Sequence, residues 1–244
     1  MARLGIIAGS GPEAGIDLWS KVLAHSRELA GAGFRGDLDA PEVSIVSDPL
    51  LGLSMELAQN HHLVWPVLAR AATRLSPLAD VYAIACNTLN FYAHDLAGLG
   101  LKARLVSFVD VLVDELQRTK TRRVALLGAR PVTELGPWST YRGLAQQVEL
   151  EPLTSEVAHE LHALIYDIKA RGGTDPALAP RFQTLLAQLH SEVVVLACTE
   201  LPLVRVQASG KRLIDPTDLV ALDLARRARH LHAQGPSPND PGRP

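Results

Sequence analysis

The run VYAIACNTL at Val81–Leu89 aligns without gaps on VVVLACTEL at Val193–Leu201, with Val, Ala, Cys and Leu coinciding. Earlier in each half, RLGIIAGSGPE (Arg3–Glu13) parallels RRVALLGARPVTE (Arg122–Glu134). Each half therefore begins with a strand that enters a glycine-containing turn, and later holds a strand that ends in Ala-Cys. Self-similarity of this kind marks a repeated supersecondary unit. A chain with this pattern is held to two similar folding units, and its two cysteines fall at equivalent points of them.

The units read as α/β. Arg3–Ala8, Val43–Val46, Val81–Ala85, Val124–Leu127 and Val193–Ala197 are predominantly apolar runs of strand length, bounded by Gly, Pro, Asp or Ser. Such runs suit strands covered by helices on both faces. Between them lie helical periodicities, with Ile16, Trp19, Leu23 and Ala30 on one face and Val157, Leu161, Leu164, Ile165 and Ile168 on another. Strands alternating with helices imply crossovers and parallel sheets. The expected architecture is two similar Rossmann-like parallel-sheet domains, related by a pseudo-twofold axis, with the site in the cleft between them. The expected division is 1–108 and 109–204, with 205–232 returning to the first domain and 233–244 a disordered tail rich in Pro, Gly and Asn.

Composition removes several function classes. With 24 Lys+Arg against 26 Asp+Glu, the net charge of −2 provides no basic surface for nucleic acid or an anionic membrane. No apolar run reaches the length of a membrane span. The opening MARLGIIAGSGPEAG reads as a strand and turn and not as a signal peptide. Two thiols are too few for a disulfide framework or a structural zinc site. A soluble cytoplasmic protein is expected.

In open parallel sheets, ligands bind beyond the carboxyl ends of the strands, where helix N-termini point. Cys86 and Cys198 both sit at such ends, followed by Asn87-Thr88 and Thr199-Glu200, residues of the kind that cap helices. A thiol at a helix N-terminus has its thiolate favoured, so its pKa is expected to fall. A buried strand cysteine is ordinarily a small hydrophobe. Two at equivalent ends of a repeat point instead to thiols flanking one cleft. One thiolate can then remove a proton from a carbon between them and the other thiol return one from the opposite face, which inverts a stereocentre. Asn87, Thr88 and Thr199, with backbone N–H groups at the two helix starts, can hold the carboxylate of an amino acid.

Other motifs have plainer readings. Gly31-Ala-Gly-Phe-Arg-Gly36 follows a helix, so it lacks the strand-to-helix context of a dinucleotide site and reads as a loop. Gly9-Ser10-Gly11-Pro12-Glu13 does occupy a strand-to-helix turn able to offer N–H groups to an anion, but Pro12 removes a donor and NAD is not expected. His159-Glu-Leu-His162 is not H-E-x-x-H and reads as a solvated helix face, as do His61-His62, His230 and His232. No Gly-x-Ser-x-Gly elbow occurs.

With these residues assembled, the chain resembles the aspartate/glutamate racemase family, whose members racemise acidic amino acids without pyridoxal phosphate. GIIAGSGPEAG is similar to the family's opening, ACNTLNFY to its first cysteine block and ACTELPL to its second, in the same order over about residues 3–225. The resemblance implies two Rossmann-like domains, usually as a homodimer, and no metal or organic cofactor. It implies Cys86 and Cys198 as the catalytic acid/bases, and substrate contacts from Asn87, Thr88 and Thr199. Lys169, in LIYDIKARGG, matches a lysine at the family's site; Ser10 and Glu200 complete the candidate substrate-binding set. Rival readings on this scaffold are a hydantoin racemase, a maleate isomerase or a decarboxylase; outside catalysis, the rival is a non-catalytic small-acid binding protein.

The family's Asn-Pro-x-x-Pro-Asp-Arg segment, whose arginine helps bind a carboxylate, is replaced here by Ser47–Met55, which has no arginine. A second substrate carboxylate would fall to Lys169 with Arg130, and Asp48 is expected to repel it. Weak activity on aspartate and glutamate follows, with Leu50, Leu51, Leu53 and Met55 expected to suit a neutral or larger side chain.

Overall fold

The computed structural model describes residues 2–207 and 210–233, with side chains through residue 229. The first half runs β1 (Leu4–Ala8), α1 (Pro12–Ala30), β2 (Val43–Ser47), α2 (Leu57–Leu75), β3 (Val81–Ile84), α3 (Ala93–Ala97), β4 (Arg104–Leu105) and α4 (Phe108–Arg118). The second runs β5 (Arg123–Leu127), the single turn α5 (Arg130–Thr133), β6 (Glu149–Glu151), α6 (Ser155–Arg171), α7 (Leu178–Ala187), β7 (Val193–Leu196), β8 (Arg212–Ile214) and α8 (Pro216–Ala233). Every strand pairing is parallel, and the two four-stranded sheets have orders β2-β1-β3-β4 and β6-β5-β7-β8. These are the same order with the numbering advanced by four. Thus β3 and β7, the strands that lead into the two cysteines, hold equivalent places. The fold is α/β with two similar parallel sheets.

The central strands β1 and β3 are buried at every residue. Val43–Val46 is not covered on both faces as its apolarity suggests. It lies in β2, an edge strand with Ile45 46% exposed. The strands β4, β6 and β8 have only two or three residues and carry Arg104, Glu149, Glu151 and Arg212, so no hydrophobic run announces them.

The helix α1 also differs from expectation. Its buried face is Ala14, Gly15, Leu18, Val22 and Ser26, and Ile16 is 68% exposed. Close packing on the sheet selects small residues here, since a Cβ on Gly15 would lie 2.5 Å from that of Ala8. Gly31–Gly33 forms a 3₁₀ turn at the end of α1, as a loop reading requires. In α6, by contrast, Val157, Leu161, Leu164, Ile165 and Ile168 are all buried. Val220, Ala221, Leu224 and Ala228 of α8 share a core with Leu4, Ile6, Val81 and Phe108. Lys21 of α1 pairs with Asp215 at the end of β8, 2.7 Å away. No helix among the described residues is long and apolar enough to cross a membrane. Ala233, expected to open the tail, instead closes α8, and 234–244 lie outside the described residues.

The edge strand β6 is tied to the segment before β7 by Glu151, whose carboxylate accepts the backbone N–H of His190 (2.7 Å) and Ser191 (2.5 Å). Burial raises its pKa, but these bonds outweigh burial and hold it below the usual carboxylate value. A depressed folded-state pKa adds stability that is present above the unfolded pKa and is lost as pH falls through the folded one. Glu151→Gln should therefore cost about 1.5–3 kcal/mol in urea denaturation at neutral pH. The gap should narrow in acid, where the native carboxylate is protonated too; a gap independent of pH would remove this assignment.

Candidate active site

The turns after the central strands converge on one cavity. The first half contributes Ser10 after β1, Cys86, Asn87 and Thr88 after β3, and Ser54 and Met55 from the 3₁₀ segment Pro49–Glu56. The second contributes Ala129 after β5, Ala197, Cys198, Thr199 and Glu200 after β7, and Lys169 from α6. The cavity is narrow, about 10 Å³, which suits a single water. All eight candidate site residues line it.

Two glycines allow this convergence. Gly9 (φ +113°) and Gly11 (φ +108°) flank Ser10 in a backbone region that side chains rarely occupy. A Cβ on Gly9 would sit 2.1 Å from the Asp48 carbonyl oxygen, and one on Gly11 2.0 Å from Glu200 Oε1. The GSG turn is therefore the point at which the first half meets both the end of β2 and the second half.

The thiols, each 6% exposed, have different neighbours. Cys86 Sγ donates to Ser10 Oγ (3.3 Å), which itself bonds Ser54 Oγ (2.8 Å). Cys198 Sγ donates to Glu200 Oε2 (3.0 Å), an oxygen that also accepts from Thr199 Oγ1 (3.3 Å). The other oxygen of Glu200 pairs with Lys169, whose Nζ donates to the Ser10 carbonyl as well (2.8 Å). Lys169 thus stitches the second half to the first at the base of the site.

The electrostatics correct one expectation. Cys198 does not have a lowered pKa; burial, and then the Glu200 carboxylate, push its thiol well above its ordinary value. The helices expected to favour thiolates are short 3₁₀ segments, Thr88–Tyr92 and Leu201–Leu203, and neither Asn87 nor Glu200 caps its segment by a side-chain bond. Burial works against the charge on Lys169, but Glu200 and the two cysteines outweigh it and leave its pKa raised.

Several other expectations change. Asp48 does not face the cavity; it pairs with Arg70 at 2.9 Å and accepts the Leu50 N–H. Arg130 is exposed and does not line the cavity. Of the four apolar residues expected near a side chain, Met55 alone lines it, because the 3₁₀ segment turns Leu50 to solvent and Leu51 and Leu53 into the first-half core. His162 is not solvated: it is buried on α6, with Nε2 3.1 Å from Glu56. His159 is exposed, and His61 stacks on Trp138. The side chains of His230 and His232 lie outside the described residues. Ser54 and Tyr141 were not legible in the sequence, since a serine in a 3₁₀ turn and a tyrosine in a loop have no spacing signal.

The family model described as Asp/Glu/Hydantoin racemase matches residues 7–224. The chain belongs to this family. A curated relative, the broad specificity amino-acid racemase RacX of Bacillus subtilis, is 22% identical over 201 residues, covering 81% of this chain and 85% of the relative. Among solved structures, the aspartate racemase of Picrophilus torridus superposes with a TM-score of 0.77 at 18% identity, over 94% of this chain and 95% of that one. An aspartate racemase homologue from Pyrococcus horikoshii gives 0.71 at 24% identity, over 94% and 100%. Chains this divergent share the fold of this racemase-family protein.

The Glu200 carboxylate disfavours a second negative charge on Cys198. Glu200→Gln should lower the Cys198 pKa and speed its alkylation by iodoacetamide near pH 8 several-fold, read peptide by peptide in a mass spectrometer. An unchanged rate would show that burial alone governs this thiol.

Proposed function

We propose that this protein is an amino-acid racemase that needs no pyridoxal phosphate, with Cys86 and Cys198 as its acid/base pair. The observation that carries this reading is the placement of both thiols, from equivalent strand ends of two similar halves, on one cavity. Family membership and the likeness to a broad-specificity amino-acid racemase support it. One thiolate takes the α-proton and becomes a thiol. The electron pair left on Cα passes into the α-carboxylate, and the opposite thiol returns a proton to the other face. In this reading Asn87, Thr88 and Thr199 hold the α-carboxylate, and Ser10, Lys169 and Glu200 shape and charge the rest of the site. Developing charge on the carboxylate is met by donors fixed before the reaction, in a site without bulk water. An amino acid is larger than the cavity, so the two halves part to admit it. The reading takes the domains as 1–108 with 205–232, and 109–204, in a homodimer.

The charge of the lining speaks for the substrate. Among the described residues, Lys169 is the single cation on the cavity wall and Glu200 already neutralises it, while Met55, Ser54 and Ala129 are uncharged. An amino acid with an uncharged side chain brings no net charge to this lining; a dicarboxylate brings a second carboxylate, and the described lining has no free cation to meet it. The ground for this preference is the missing cation and not repulsion by Asp48.

Solvent deuterium wash-in at Cα, followed across a panel of amino acids, tests both steps. Neutral amino acids should exchange with kcat/KM at least about tenfold above aspartate and glutamate, equivalent to one unpaired charge worth about 1.4 kcal/mol. A strong preference for aspartate would overturn the substrate assignment, and exchange with no amino acid would overturn the racemase.

Cys86→Ser and Cys198→Ser should each abolish full racemisation, while one of them retains exchange of a single enantiomer. Racemisation at wild-type rate in both variants would rule out two-thiol chemistry.

A further inference from the structure

Behind the cavity lies a residue that none of this chemistry names. Tyr141, in the loop between α5 and β6, is fully buried and packs in the second-half core with Val124, Leu126 and Val195. Its loop is braced locally: Ser139 Oγ donates to the Val132 carbonyl (2.8 Å) and accepts the Tyr141 N–H (3.2 Å). It is braced across the halves as well, where Trp138 packs on the rings of His61 (4.8 Å) and Phe91 (5.2 Å). From this anchored position the Tyr141 hydroxyl reaches the first half and donates to Asn87 Oδ1.

Asn87 lines the cavity and is 2% exposed, and its Nδ2 is buried with no hydrogen-bond partner among the described residues. A buried amide N–H₂ left unpaired is unfavourable and rare, and such a group is ordinarily matched by an acceptor. The amide is planar, so fixing Oδ1 on one side fixes Nδ2 on the other. The flipped amide would need Tyr141 as acceptor and would leave its hydroxyl proton without a partner in an apolar core. Burial, and then the nearby Asp215 and Cys86, push the Tyr141 phenol far above its ordinary pKa, so it remains a donor throughout the working pH range.

We propose that Tyr141 is a positioning residue, which reaches across the two halves to lock the Asn87 amide so that Nδ2 is held ready for a ligand carboxylate. This rests on the racemase reading for the identity of that carboxylate, the α-carboxylate of an amino acid. Its charge rises as the α-proton leaves, so a donor held in place matters more in the transition state than in the ground state. Tyr141 also makes the donor conditional on closure, because the lock forms only when the second half is seated on the first.

Tyr141→Phe preserves the ring and removes the hydroxyl. It should lower kcat for α-proton exchange about tenfold, part of what loss of one such donor costs, with KM within about twofold. In an Asn87→Ala background the same change should add little, because the group it positions is gone. Asn87→Asp keeps an acceptor for Tyr141 and deletes Nδ2, so its kcat should fall as far as that of Asn87→Ala. Equal losses from Tyr141→Phe in both backgrounds, a loss confined to KM, or full activity in Asn87→Asp would each overturn the proposal. A second arm needs no turnover. Acetate, as a carboxylate probe, should shift the Asn87 side-chain amide resonance in the wild type and much less in Tyr141→Phe; equal shifts would overturn the lock. If the wild type exchanges no amino acid, the racemase reading fails, and the acetate arm still decides the role of Tyr141.

Discussion

The ion pair between Lys169 and Glu200 sits where the two halves meet, and the arrangement of the site depends on it. Lys169 is largely buried and Glu200 is 3% exposed, so each charge offsets the cost of burying the other. Once paired, they determine what surrounds them. The remaining donor capacity of Lys169 goes to the Ser10 carbonyl, which docks the first-half turn. The remaining lone pairs of Glu200 take the Cys198 thiol and the Thr199 hydroxyl. Gly11 has to be a glycine because Glu200 lies against it. One buried pair thus aligns a turn of the first half, a helix of the second, and one of the two thiols.

Much of this organisation was legible in the sequence, and the reason is physical. Buried parallel strands are apolar runs, so β1, β3, β5 and β7 declare themselves, and their repeated Ala-Cys ends locate both thiols without reference to packing. The five core positions of α6 follow from period alone. Edge strands such as β4, β6 and β8 escape, because short polar-bearing segments are held by a neighbour's ladder and not by their own hydrophobicity. The buried face of α1 is not legible from period, because close packing favours Ala, Gly and Ser, which carry little hydrophobic signal. The raised pKa of Cys198 is hidden for a different reason. Whether a strand end leads into an α-helix or a single 3₁₀ turn, and whether a following carboxylate faces the sulfur, are tertiary facts. Asp48 shows the same limit, since its partner Arg70 lies on another element and no local spacing reveals the pair.

The two thiols are equivalent by topology and unlike by environment. Cys198 donates to a carboxylate and is held as a thiol, whereas Cys86 faces the hydroxyls of Ser10 and Ser54. On the racemase reading this asymmetry has a definite thermodynamic limit. Enantiomers have equal free energy, so the equilibrium constant between them is one. The kcat/KM values of the two directions must then be equal, however different the two acid/bases are. The inequality can appear only in how kcat and KM divide within each direction, and in which protonation state of the pair the free enzyme favours. A site evolved from a repeat need not stay symmetric to run a symmetric reaction. Glu200, Lys169, Ser10 and Ser54 are free to specialise each thiol for its own half-reaction.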